Sequence, residues 1–287
     1  MCHTAAMKNI RKHDGPPTNK KGGKPRGQRG GSNRGGPKGG EIVENVWLYG
    51  VHTVDAALRN PKRKVRQLLA TDSGMERLDH NALAQHPDLD IRIGKTADLD
   101  RMVTADSVHQ GLLLDCEPLL REEPKDLYDF ADDQIILVLD QVTDPHNVGA
   151  ILRSAVAMGV KTVLVTSRHQ SSETGVLAKS ASGAVDMVDM LAIRNLSKSL
   201  DELREHRFAV IGLDSEGPLE VQETLDDLKP SKVALVLGAE GKGLREQTRE
   251  ACTALARLDM PGPIKSLNVS NAAALSLYLV RAAIKKA

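Results

Sequence analysis

Ile135-Ile-Leu-Val-Leu-Asp-Gln-Val-Thr-Asp-Pro-His-Asn-Val-Gly-Ala-Ile-Leu-Arg153 opens with an unbroken apolar run, stops at an acid, turns, and resumes with helical spacing. A continuous Ile/Leu/Val run marks a strand buried on both faces, the situation of a parallel sheet covered by helices. Asp144-Pro145 is a turn signal, so a helix is expected from about Val148. Its apolar stripe would be Ile151, Leu152, Ala155, Val156 and Gly159, and Arg153 falls off that stripe. Similar runs recur at 162–165, 209–213 and 233–237, separated by helix-length segments. The expectation is an α/β domain over residues 134–287, built on a parallel sheet.

In open α/β sheets ligands collect beyond the C-terminal ends of the strands, and three polar segments fall at such places. The first is the turn just quoted, with Asn147 and Arg153. The second, Gly238-Ala-Glu-Gly-Lys-Gly-Leu244, follows the run 233–237. Its glycines permit close backbone approach to a ligand, and Glu240 is either a turn residue or a ligand-facing carboxylate. The spacing is neither a dinucleotide fingerprint nor a Walker loop, which argues against dehydrogenases and nucleoside triphosphatases. The third, Leu258-Asp-Met-Pro-Gly-Pro-Ile-Lys-Ser-Leu-Asn-Val-Ser-Asn271, leads from a strand-like 255–258 into a last apolar helix over about 271–284. Ser266, Asn268 and Ser270 there serve as helix caps or as a ligand loop. Lys285 and Lys286 at the end of that helix suit its dipole.

Upstream, residues 46–117 alternate short apolar runs (46–49, 65–69, 91–93, 111–114) with helical ones, giving a small α/β domain. Arg59, Lys62, Arg63, Lys64 and Arg66 crowd one loop with no acid among them, and they are either a solvated turn or a phosphate-binding patch. Residues 118–133 form an acidic, proline-punctuated linker. Residues 1–45 read as a disordered basic tail: the first forty carry ten Lys/Arg against Asp14 alone, and almost no apolar side chains. The whole chain is only +1, so everything beyond the tail is acidic by about eight charges. The tail is either a sequence-blind RNA arm or a solubilising leader.

Composition excludes several classes. Aromatic residues at 2% leave little for base-stacking platforms. Cys2, Cys116 and Cys252 form no C-x-x-C pair, so neither a disulfide framework nor a zinc site is expected, and no other metal ligand cluster stands out. No run approaches the roughly 20 apolar residues of a membrane span, and the first residues lack a secretory core, so a cytoplasmic setting is expected.

In this order and spacing the three segments resemble the motifs of the SPOUT superfamily, SpoU/TrmH type, most closely the bacterial enzymes of the RlmB group, which methylate a guanosine 2′-hydroxyl of large-subunit (23S) rRNA. Tyr49-Gly50-Val51-His52 and His109-Gln110-Gly111 resemble that group's small L30e-like RNA-binding domain. The resemblance implies an S-adenosylmethionine-dependent RNA ribose methyltransferase. It also implies a deep trefoil knot over about 233–287, and a homodimer whose active sites are completed across the interface. By motif, Gly238, Leu258 and Leu267, with Gly243, would bind the cofactor, and Asn147, Arg153, Glu240, Ser266 and Asn268 would form the catalytic centre. Where the family has a proline, this chain has Asp259, with Pro261 and Pro263 following. Two alternatives stay open: tRNA as the substrate, and a non-catalytic RNA-binding or ribosome-assembly protein on the same scaffold.

Overall fold

The computed structural model describes residues 10–12, 45–119, 121, 124, 134–167 and 172–284. The first unit comprises β1 (Ile10–Lys12), β2 (Val46–Tyr49), α1 (Val51–Arg59), β3 (Val65–Ala70), the single turns α2 (Asp72–Met75) and α3 (His80–Leu83), β4 (Asp90–Ile93), α4 (Thr96–Asp100) and β5 (Leu112–Cys116). Its sheet runs β1-β4-β3-β5-β2, with β5 antiparallel to both of its neighbours. Within the stretch expected to be disordered, residues 10–12 pair in parallel with β4 as an edge strand. The rest of that tail up to residue 44, most of the expected linker, and Lys285 and Lys286 lie outside the described residues.

The second unit runs β6 (Ile135–Asp140), α5 (Pro145–Ala157), β7 (Thr162–Thr166), α6 (Gly175–Ala181), β8 (Asp189–Ile193), α7 (Leu196–Glu205), β9 (Ala209–Leu213), β10 (Leu219–Glu220), α8 (Val221–Leu228), β11 (Val233–Gly238), α9 (Glu246–Ala251), β12 (Ala254–Arg257) and α10 (Val269–Ile284). Its seven strands are parallel, in the order β10-β12-β9-β11-β6-β7-β8. The quoted apolar run explains the two-sided burial. Ile135, Leu137 and Leu139 pack into the core shared with α5, α6 and α10, while Ile136 and Val138 face Leu196, Leu200 and Leu203 of α7. Each such side chain contributes roughly 1.5–3 kcal/mol on burial.

Two helix starts and one strand differ from the sequence expectation. Helix α5 begins at Pro145 rather than Val148, because Asp144 accepts a hydrogen bond from the His146 N–H (3.1 Å) and proline occupies the first helical position. Asn147 therefore sits in the first helical turn. Helix α10 starts at Val269, with Asn268 Oδ1 accepting from the Ser270 N–H at 2.8 Å. Strand β8 went unseen in the sequence because Asp186 and Asp189 interrupt its apolar pattern.

In the basic loop, expected to be a solvated turn or a phosphate-binding patch, Arg63 is drawn into the interior and the other cations pair with acids at the surface. Arg63 is fully buried and reaches across the domain seam to Glu173 (2.6 Å) and, through two nitrogens, to Asp186 (2.9 and 3.0 Å). Burial works against its charge, but Asp186 and Glu173 outweigh that and raise its pKa. Lys62 pairs with Asp189 at 2.5 Å, Lys64 and Arg66 with Glu117, and Arg59 with Asp55 and Asp79. The seam is close-packed as well as charged. A Cβ on Gly183 would lie 2.8 Å from both Ala56 Cβ and the His52 carbonyl oxygen. The Thr53 hydroxyl donates to the Ala178 carbonyl at 3.2 Å.

Candidate active site

The adjacent strands β6 and β11 end in register, with Asp140 opposite Gly238. Beyond them lies a cleft of about 440 Å³ bordered by Gln141, Asp144, Asn147, Glu240, Lys242 and Val269. Its polar groups form one chain. Asn268 Nδ2 donates to Asn147 Oδ1 at 2.8 Å, and Asn147 Nδ2 donates to Glu240 Oε2 at 3.0 Å. Asn147 is buried, so both faces of its amide are fixed by these partners. Three residues from three separate segments thus meet at one point.

The loop after β11 is held by its glycines. A Cβ on Gly238 would overlap the backbone of Gly243 and Leu244, so only glycine fits there. Gly243 itself, in the left-handed region (φ 66°), donates its N–H to the Ala239 carbonyl at 2.8 Å and closes a tight turn around Glu240. Beneath the turn is an anchor that sequence reading missed. The fully buried Asp140 carboxylate accepts from Arg245 Nε (2.8 Å) and from the Thr248 hydroxyl (2.7 Å). The only sequence signal was an acid closing an apolar strand, since its partners lie more than a hundred residues away. Replacing Asp140 with Ala should cost roughly 1.5–3 kcal/mol, the usual value of hydrogen bonds to a buried charge. It should also loosen the 239–245 turn, so that chemical denaturation and ligand affinity worsen together.

The other expected site residues are placed differently. Arg153 is exposed and makes no hydrogen bond or ion pair with the described residues. Six residues beyond Asn147, it stands about a third of a turn around α5 and about 9 Å along it, away from the Asn147 network. Ser266 and Leu267 are exposed in the loop between β12 and α10, and Leu258 is half-buried at its start. Residues 259–267 make none of the described backbone–backbone hydrogen bonds, and apart from the Met260 carbonyl, which accepts from Lys265 Nζ at 2.7 Å, the loop leaves its N–H and carbonyl groups open. Burial pushes the Cys116 and Cys252 thiols up to about 12, which removes them as nucleophiles. Among the described residues no three His, Cys, Asp or Glu side chains are grouped to hold a metal, and no helix is long and apolar enough to cross a membrane.

Comparison with known proteins gives this arrangement a context. The family described as SpoU rRNA Methylase matches residues 134–278, and that described as RNA 2′-O ribose methyltransferase substrate binding matches 47–121. The 23S rRNA (guanosine-2′-O-)-methyltransferase RlmB of Xylella fastidiosa is 37% identical over 241 residues, covering 82% of this chain and 95% of that protein. The enzyme of the same name from Pseudomonas putida is 34% identical over 237 residues, covering 80% and 94%. The fold is shared with the SpoU methyltransferase AviRb of Streptomyces viridochromogenes in complex with AdoMet (TM-score 0.64, 23% identity, 83% and 89% covered). The cleft, with its three converging segments, lies within the matched region, and this chain belongs to the SpoU rRNA methylase family.

Proposed function

We propose that the chain methylates the ribose 2′-hydroxyl of a guanosine in large-subunit rRNA, with S-adenosylmethionine as methyl donor. The observation that carries this reading is the Asn268–Asn147–Glu240 chain, assembled at the strand ends of a SpoU methylase domain. The curated relatives named for 23S rRNA guanosine 2′-O-methylation, matched over nearly their full length, support the substrate.

The donor fits the residues present. The Gly238–Gly243 turn and the open backbone of 259–267 offer close approach and main-chain hydrogen bonds, and Gly238, Gly243, Leu258 and Leu267 would hold it. When bound, it supplies a methyl group on a positively charged sulfur. The protein's part is positioning and exclusion of water. Glu240 fixes the Asn147 amide, and Asn147 in turn orients Asn268, so the pocket wall is rigid before the substrate arrives. Ser266, exposed in the loop before α10, would add a hydroxyl to the site. A guanidinium offers five N–H donors and no acceptor, so Arg153 serves as a donor and not as a base. Its role is to grip a phosphate beside the target ribose and align the hydroxyl, whose proton passes to a phosphate oxygen.

An exposed Arg153 makes sense in a homodimer, with the guanidinium completing the site of a second copy. The α10 face carrying Asn271, Leu275 and Tyr278 supports this: Leu275 is 52% and Tyr278 62% exposed on a helix packed against α5. The return of the chain from β12 past the ends of β6 and β11 to α10 supports a trefoil knot formed by about 233–287. The small domain reads as L30e-like and RNA-binding. In cells, primer extension on 23S rRNA should show one ribose-methylation stop at a guanosine. That stop should vanish when the gene is deleted and return with the wild-type gene; its persistence after deletion contradicts the assignment.

A further inference from the structure

The cations of the basic loop are each paired with acids of the same chain. Lys179, on α6, is the exception at the seam. Its ammonium donates to Gln110 Oε1 at 2.9 Å and has no acidic partner among the described residues. Partial burial pushes its pKa down with nothing offsetting it. Gln110 is held for this contact. It sits in the left-handed region (φ 57°), and its Oε1 also accepts from the Val51 N–H at 3.1 Å. With that oxygen occupied twice, the amide N–H groups of Gln110 remain without a partner among the described residues. The next residue, Ser180, meets His146 Nδ1 at 3.3 Å, and His146 adjoins Asn147. Neighbouring residues of α6 thus contact the small domain at Gln110 and the first turn of α5, where Asn147 sits. A cation and an amide left without an acid, where the small domain meets α6 of the methylase domain, suit a phosphodiester oxygen.

We propose that Lys179 and Gln110 together bind a phosphodiester of the substrate RNA at the domain seam, making Lys179 a positioning residue for the strand that carries the target ribose. The proposal rests on the RNA methyltransferase reading, but its test does not depend on turnover. The full-length protein and its Lys179→Gln, Lys179→Arg and Gln110→Glu variants are titrated with an unmodified 23S rRNA fragment across a range of salt concentrations. Lys179→Gln should weaken binding roughly five- to tenfold at low salt and flatten the log K against log salt slope by about 0.7–0.9. Gln110→Glu should do the same, by setting a carboxylate against the ammonium, and Lys179→Arg should restore both readings. In turnover, the loss should fall on KM for RNA, with S-adenosylmethionine affinity unchanged. A folded Lys179→Gln protein with unaltered affinity and slope would overturn the proposal. So would weaker binding at an unchanged slope, which would mark a purely structural lysine. Wild-type protein that binds the RNA but transfers no methyl would sink the methyltransferase reading alone, and the slope would still decide Lys179.

Discussion

Denaturant unfolding of an Arg63→Met variant should show a loss of about 3–5 kcal/mol, the cost of breaking a buried ion pair from one side. The reason lies in what stays behind. Glu173 and Asp186 are almost wholly buried, and without Arg63 each would be a buried carboxylate that has lost its bonded counterion. Glu173 also accepts from the Leu119 N–H at 2.8 Å, so the start of the interdomain connection would lose its anchor. The single tryptophan, Trp47, lies on β2 beside Gly175 of α6, so its fluorescence reports on the seam directly. Its transition should move to lower denaturant than wild type. Replacing all three charges with apolar residues of similar volume should recover most of the loss, since ion pairs of this kind are often matched by well-packed apolar groups. A single-variant loss below about 1 kcal/mol would mean that the seam is wet and the clamp weak.

Arg153→Ala should lower the methyl-transfer rate at least about a hundredfold, the scale of losing one group that stabilises or aligns the reacting centre. Thermal stability and S-adenosylmethionine binding should stay near wild type, because the side chain is exposed and makes no hydrogen bond or ion pair with the described residues. The dimer reading sharpens this into a complementation experiment. Asn147→Ala should be inactive by itself. Mixed with Arg153→Ala and allowed to exchange subunits, it should regain up to about a quarter of wild-type activity. Half of the dimers are then mixed, and each carries one intact site. Loss of cofactor binding in Arg153→Ala would end the assigned role, and absence of recovery on mixing would place Arg153 in its own chain's site.

What the sequence disclosed and what it hid divide along physical lines. The strands β6, β7, β9 and β11 were legible because burial on both faces demands unbroken apolar runs, and only such runs stand out locally. Strand β8 was hidden because Asp189 opens it and pairs with Lys62, 127 residues away. Arg63 looked like a solvent-facing cation for the same reason: its acids lie 110 and 123 residues along the chain. The meeting of Asn147, Glu240 and Asn268 could not be read from spacing either, since the bonds span 93 and 121 residues. Family resemblance named those three positions, and the geometry adds their mutual bonds and the Asp140 anchor beneath them. Composition left the basic loop open between a solvated turn and a phosphate-binding patch, and only the structure shows the acids its cations pair with. Lys179, at the seam without an acidic partner among the described residues, is a cation that no charge count would single out.

The most direct test of the account is transfer of a labelled methyl group from S-adenosylmethionine to unmodified 23S rRNA and, in parallel, unmodified tRNA, followed by mapping of the modified nucleotide. The account predicts label on the 2′-oxygen of one 23S guanosine and none on tRNA. Label confined to tRNA would contradict the substrate, and cofactor binding without transfer to either RNA would contradict the catalytic role assigned to the Asn147, Glu240 and Asn268 cleft.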